Sequence, residues 1–113
     1  MKLVDVRKIA LSLPETTEEP HFNYSSFRVG GKIFATVPPE GEHIHVFVAE
    51  EQREQALALE PAFIEKLHWG KRVVGLRLTL EKAKPAVVER LLSQAWSGKA
   101  PKRLAAERTT DRQ

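Results

Sequence analysis

Apolar side chains near the start of the chain recur every three or four residues, which is the spacing of an amphipathic helix. The positions that follow this spacing are Leu3, Val6, Ile9, Ala10 and Leu13. We therefore predict a helix over residues 2–13 that ends at Pro14, because proline disfavours helical backbone in the residue before it. The polar segment from Glu15 to Pro20 has no apolar period and is interpreted as a surface loop.

The middle of the chain changes to β-prone runs, in part with the alternating pattern of half-buried strands. Residues 26–29 and 32–37 are two such runs, and the pair Gly30-Gly31 between them favours a tight hairpin turn. Residues 43–48 and 73–80 are predicted to be further strands, and a glycine at position 75 marks a candidate bulge. Residues 50–59 are strong helix formers with acidic side chains at their start, so a short second helix is expected there.

A longer apolar stripe predicts a third helix, with Pro85 in its first turn and Gly98 as its stop signal. The predicted order is α-β-β-β-α-β-α, which places the chain in the α+β class as a two-layer arrangement of an antiparallel sheet with helices. The strand and helix patterns together predict a shared core made of Phe27, Ile33, Phe34, Val46, Leu91 and Trp96.

A chain of 113 residues has the usual size of one domain. We predict a single domain over residues 1–106, followed by a polar C-terminal tail over residues 107–113. The sequence has no cysteine, which excludes disulfides, thiolate metal sites and a cysteine nucleophile. No apolar run approaches the length of a membrane span, and the first residues lack the apolar stretch of a signal peptide, so a cytoplasmic location is expected, without contact to a membrane.

Charge is distributed unevenly along the chain. Residues 1–60 contain 6 Lys or Arg and 10 Asp or Glu, whereas residues 61–113 contain 12 and 5. The second part therefore has a net charge of +7, which suggests a basic surface for a polyanion. An ordinary solvated charge pattern remains an equal alternative.

Residues with catalytic or metal-binding chemistry form no recognised motif. The pair His43 and His45 would lie on the same face of a strand, but no second pair accompanies it, so we interpret the two as facing solvent. The serines and paired glutamates match no nucleophile elbow or acid/base arrangement. We predict that the chain is not an enzyme and needs no cofactor or metal.

Basic side chains are the better candidates for a binding function. Several fall between residues 66 and 84, Lys99 and two others follow the third helix, and two flank the hairpin turn. Such residues can neutralise phosphates, and a hairpin that carries them can lie along a nucleic-acid groove. The candidate nucleic-acid-binding residues are Arg28, Lys32, Lys71, Arg72, Arg77, Lys102 and Arg103. The neighbouring Trp69 can stack on a base, but a place in the core is the favoured interpretation.

Three segments in this order and spacing resemble the MmcQ/YjbR family. They are Glu19-Pro20-His21-Phe22, the run from Ser26 to Thr36, and the closing Ala95-Trp96 with Ala100-Pro101-Lys102-Arg103-Leu104. The resemblance extends over roughly residues 3–106. It implies a compact α+β fold described as a double wing, and a family name that usually includes the words DNA-binding protein.

Two functional hypotheses follow from the sequence. The first is a DNA-binding protein of the MmcQ/YjbR type that acts mainly through phosphate contacts from a basic face. The second is a module that binds an unknown protein or a small ligand and has no nucleic-acid activity. The geometry of the charges discriminates between them, because DNA binding requires the candidate cations to share a face that is free of Glu18, Glu19, Glu50 and Glu51.

Overall fold

The computed structural model describes the backbone of residues 1–111 and the side chains of residues 1–106. Its strands span Thr16–His21 (β1), Tyr24–Val29 (β2), Lys32–Val37 (β3), His43–Val46 (β4), Ile64–Trp69 (β5) and Arg72–Thr79 (β6). All six belong to one sheet with the order β1-β2-β3-β4-β6-β5, and every neighbouring pair is antiparallel. The predicted α+β class, with an antiparallel sheet and helices, is confirmed.

The helices span Leu3–Ser12 (α1), Glu50–Leu59 (α2), Pro85–Lys99 (α3) and Lys102–Asp111 (α4), and a short 3₁₀ turn spans Leu80–Lys82. Local side chains satisfy free backbone N–H groups at two helix starts. The carboxylate of Asp5 accepts a hydrogen bond from the backbone N–H of Lys2 at 3.0 Å, and the side-chain oxygen of Gln52 accepts one from Ala49 at 3.2 Å. α1, α2 and α3 contact the sheet or each other.

The hydrophobic core lies between the sheet and α3. Phe27, Phe34, Val46, Leu91 and Trp96 are all buried in it, as the sequence predicts. The indole N–H of Trp96 donates a hydrogen bond to the carbonyl of Pro14 at 3.0 Å, which connects α3 to the end of α1. The prediction for Ile33 is wrong, because this side chain is only partly buried and lines a groove on the other face of the sheet.

The predicted order lacked two strands and one helix. The segment interpreted as a loop is β1, an edge strand that pairs with β2 along its whole length, and β5 is the other edge strand. Gly98 lies inside α3 rather than at its end, and α4 follows after Pro101. The predicted tail over residues 107–113 contains the helical backbone of α4 up to Asp111, and its last two residues lie outside the described part of the chain.

Two hairpins at the edges of the sheet position the candidate site. We call the β1–β2 hairpin the first wing and the β5–β6 hairpin the second wing. The turn between β2 and β3 contains Gly30 and Gly31, whose φ angles of +57° and +77° confirm the predicted turn. A bulge in β6 opposite Leu67 and His68 confirms the irregularity expected near Gly75, where an added Cβ would clash with the carbonyl oxygen of Val46. No helix within residues 1–111 is both long enough and apolar enough to cross a bilayer.

Candidate binding site

A row of polar side chains crosses the sheet on the face that the helices leave open, which we call the open face. In the strand register each of these residues lies directly opposite the next one on the neighbouring strand. In order across the sheet they are Glu19, Ser26, Thr36, His45, Arg77 and Glu65. Side chains alternate between the two faces of a strand, so the core residues Phe27, Val46 and Leu76 point the other way. Because the core residues occupy the other face, the open face of the sheet carries polar side chains that can contact a ligand.

A groove of about 730 Å³ lies over the open face between the two wings. We call it the wing groove. The first wing contributes residues 21–24 and the second wing contributes residues 67–69. Its remaining walls are formed by Ile33, Thr36, His45, Phe47, Val74 and Lys99.

The wings present two aromatic rings to solvent. Phe22 is 92% exposed and Trp69 is 81% exposed. Phe22 also has a φ angle of +58°, a left-handed conformation that side chains with a Cβ adopt at a cost. Its ring makes an edge contact with His21, with ring centroids 4.8 Å apart. The interpretation of Trp69 as a core residue is wrong, because it sits at the end of an edge strand instead of beneath a helix.

His45 is a buried titratable residue in the groove wall. It is 8% exposed, so the prediction of a solvent-facing histidine pair is wrong for this residue. Its Nε2 atom has no hydrogen-bond partner, and the same is true of the buried Nε of Arg77, its cross-strand neighbour. Burial lowers the pKa of His45, and the positive charge of Arg77 lowers it further. A neutral imidazole can present either a donor or an acceptor to a ligand.

His43 lies beside this pair and has partners on both sides. Its Nδ1 is 3.0 Å from a carboxylate oxygen of Glu40 and 3.3 Å from a terminal nitrogen of Arg77. Burial raises the pKa of the Glu40 carboxyl, but the hydrogen bond and charge of His43, together with backbone hydrogen bonds at Glu42 and Glu40, lower it overall. In the part of the chain whose side chains are described, no group of three or more His, Cys, Asp or Glu residues could hold a metal ion.

Five cations lie at one end of the sheet, which we call the basic end: Lys32, Lys71, Arg72, Lys99 and Lys102. Strand directions place the β2–β3 and β5–β6 turns at this end. Pro101 brings the start of α4 there as well, since an added Cβ on Gly30 would lie 3.1 Å from its ring. A second groove of about 480 Å³ is lined by Arg53, Arg72 and Lys99 among others, and Lys99 lines the wing groove too. Among the described side chains, none of the five has an ion-pair partner.

The remaining predicted residues are engaged elsewhere. Arg28 lies on the open face, where it donates hydrogen bonds to Ser26 at 3.0 Å and to the carbonyl of Pro20 at 3.3 Å, and thereby fastens β2 to β1. Arg77 is 3.7 Å from a carboxylate oxygen of Glu65, and Arg103 is 3.4 Å from one of Glu15. The candidate residues thus divide between the basic end and the open face, with Arg103 paired to Glu15 just before β1.

The four glutamates that DNA binding would require to lie away from the candidate cations occupy different places. Glu18 accepts hydrogen bonds from Arg7 of α1 and from Ser25, so it faces the helices. Glu19 lies on the open face and accepts a hydrogen bond from Thr17. Glu50 and Glu51 come directly after Ala49, which lines the second groove. The basic end is therefore rich in cations without being free of nearby acids.

Comparisons with known proteins support the fold and identify the family. No curated protein matches the chain at a significant level. The solved structure of Deinococcus radiodurans protein DR2400, which has a domain of the family DUF419, superimposes with a TM-score of 0.73 and 20% sequence identity, over 86% of this chain and 78% of that one. At this identity the likeness shows the fold alone. The YjbR family model matches residues 11–97, so the chain belongs to the YjbR family, as its sequence segments indicate.

Proposed function

We propose that this protein binds nucleic acid, mainly through phosphate contacts made by the cations of the basic end. The observation that carries the proposal is the convergence of Lys32, Lys71, Arg72, Lys99 and Lys102 from three separate segments of the chain. Two hairpin turns and the junction of α3 with α4 supply them. Among the described side chains they lack carboxylate partners, so ion pairing within the fold does not explain their clustering.

Phosphate groups are the ligands that such an arrangement suits best. Exposed lysine and arginine side chains displace condensed counterions from nucleic acid, and this release supplies most of the affinity of non-specific binding. The two turns lie at the same end of the sheet, so their cations can contact one backbone that passes across this end. Arg28 and Arg77 have partners within the sheet and would contribute less, as would Arg103 with its partner Glu15.

The proposed activity is binding rather than catalysis, and the proposed place of action is the cytoplasm. The row of polar residues on the open face contains a neutral histidine, but no nucleophile and base are paired beside it among the described residues. Nucleic-acid binding needs only the cations and a surface that a polyanion can approach.

A salt titration tests the proposal. Fluorescence anisotropy with a labelled 20-base-pair duplex and with one of its strands, at several salt concentrations, should give log K values that fall linearly with log salt by about 0.9 per phosphate contact on duplex and about 0.7 on a single strand. The double variant Lys71→Glu and Arg72→Glu should weaken binding to all sequences and reduce the slope by about one to two units. The predicted pair Lys102→Glu and Arg103→Glu should have a smaller effect, because Arg103 already has a partner.

Lys82→Glu is the control for the single variant Lys71→Glu, because each reverses one charge. Lys82 is exposed and follows β6, at the end of the sheet opposite the basic end. Lys82→Glu should leave the slope unchanged within error, whereas equal effects of Lys82→Glu and Lys71→Glu would show that only net charge matters. Absence of binding at low salt, where phosphate contacts are strongest, would reject nucleic acid in favour of a protein or small-ligand partner.

A further inference from the structure

The two exposed rings on the wings have no role in the core. Trp69 is 81% exposed and Phe22 is 92% exposed, in contrast to Trp96, which is fully buried and hydrogen-bonded. Exposed aromatic rings lose the benefit of burial, and the backbone of Phe22 is in a left-handed conformation that glycine would adopt more easily. Because the fold gains little from either ring, their place on both sides of one groove points to a ligand.

The chemistry of the wing groove indicates a planar ligand. Its volume of about 730 Å³ lies within the range of small-ligand sites, and most of its wall is apolar or aromatic, including Ile33, Phe47 and Leu67. Such walls contact the faces of rings, and base stacking on aromatic side chains tolerates any base. The groove is open to solvent, which lets a chain enter and leave it.

Two polar groups define how such a ligand would be held. His45 lines the groove and its Nε2 is buried without a partner, so a small shift of the imidazole would let it exchange a hydrogen bond with the edge of a bound ring. Lys99 lines both the wing groove and the second groove, which also contains Arg53 and Arg72. A ligand with a planar ring at His45 and negative charge at Lys99 would match both features.

We propose that the wing groove binds unpaired bases of single-stranded nucleic acid, which stack on Trp69 and Phe22 while the backbone phosphates lie at Lys99 and Arg72. This inference rests on the proposed nucleic-acid binding and specifies the strand state that is bound. Bases in a duplex have both faces stacked and cannot contact these rings without unpairing. Charge complementarity selects this occupant, because Lys99 lines the wing groove and also lines the adjoining second groove together with Arg72.

Tryptophan fluorescence of the full chain provides the test. The protein has two tryptophans, and only Trp69 is accessible to a stacking base. A 12-nucleotide oligothymidylate at low salt should quench the emission of wild-type protein and bind more tightly than a blunt duplex of the same length. Trp69→Ala should weaken single-strand binding, measured by anisotropy, by about tenfold or more and change duplex binding less than about twofold. Trp69→Phe should retain most of the affinity.

Leu59→Ala is a matched control, because Leu59 is an exposed apolar residue on α2 outside the groove. It should bind both forms of DNA as the wild type does, and thermal melts should show that all variants fold. Equal binding of both DNA forms, unaffected by Trp69→Ala but still lost with Lys71→Glu and Arg72→Glu, would overturn the inference and leave the proposed function standing. Quenching by free thymidine monophosphate without binding of the oligonucleotide would overturn both in favour of a small-ligand site.

Discussion

His45 and Arg77 are direct cross-strand neighbours on the open face, and each has one buried nitrogen without a hydrogen-bond partner, Nε2 and Nε respectively. Burial disfavours the charged imidazole, and the guanidinium beside it adds electrostatic repulsion, so the pKa of His45 is lowered. His43 acts in the same direction, whereas the carboxylates of Glu40 and Glu65 oppose it. The folded protein therefore holds this histidine neutral at a pH where a free histidine is partly charged.

This relationship predicts that acid destabilises the fold through His45. As the pH falls below about 6.5, the ordinary pKa of histidine, the unfolded chain takes up a proton at this side chain while the folded chain does not. The free energy of unfolding should decrease until the pH reaches the lowered pKa of the folded state. Urea denaturation at a series of pH values should show this decrease, and subtracting the same series for His45→Gln isolates the imidazole. Parallel curves for the two proteins would contradict the prediction.

Alanine substitutions at the neighbouring residues 33 and 34 test which face of β3 packs against α3. Phe34 is fully buried in the core, so Phe34→Ala should lower the free energy of unfolding by roughly 3 to 5 kcal/mol. Ile33 lies on the open face and remains partly exposed, so Ile33→Ala should cost clearly less. Chemical denaturation of both variants measures the difference. Equal losses would mean that the two faces are assigned incorrectly.

The elements that depend on local chemistry were predictable from the sequence. α2 has the predicted bounds, and the Gly30-Gly31 turn with β3 is where the glycines and the alternating pattern indicate. β1 was missed because Thr16–His21 is polar on both faces and is held by backbone pairing with β2, which leaves no hydrophobic period to detect. β5 was missed for a similar reason, since four of its six residues are exposed at the edge of the sheet.

The candidate site was only partly predictable, because it depends on non-local register. The basic side chains were evident in the sequence, but nothing in it showed that turns 40 residues apart meet at one end of the sheet. The burial of His45 follows from its neighbours Thr36 and Arg77 on adjacent strands. For Phe22 and Trp69 the sequence offers one indication of exposure, because each aromatic residue stands beside turn residues. Aromatic side chains are nevertheless found more often in the core.

Addition of zinc or of a metal chelator should leave the thermal stability of the protein unchanged. The chain has no cysteine, and its described residues offer no cluster of ligands for a metal ion. Thermal melts with added zinc and with a chelator should therefore have the same midpoint, since a structural metal would couple binding to folding. A stoichiometric zinc titration by calorimetry, with a higher melting midpoint, would contradict this expectation.

Phe22 should show a conflict between stability and binding. Its φ angle of +58° is unfavourable for a residue with a Cβ, so Phe22→Gly should be more stable than Phe22→Ala by about 1 kcal/mol in chemical denaturation. Both variants remove the ring, so both should lose affinity for single-stranded oligothymidylate to a similar extent. The proposed single-strand binding would account for an exposed ring on a backbone with this unfavourable φ angle. Equal stability of the two variants would show that the backbone is not strained, and unchanged binding would show that the ring does not contact the ligand.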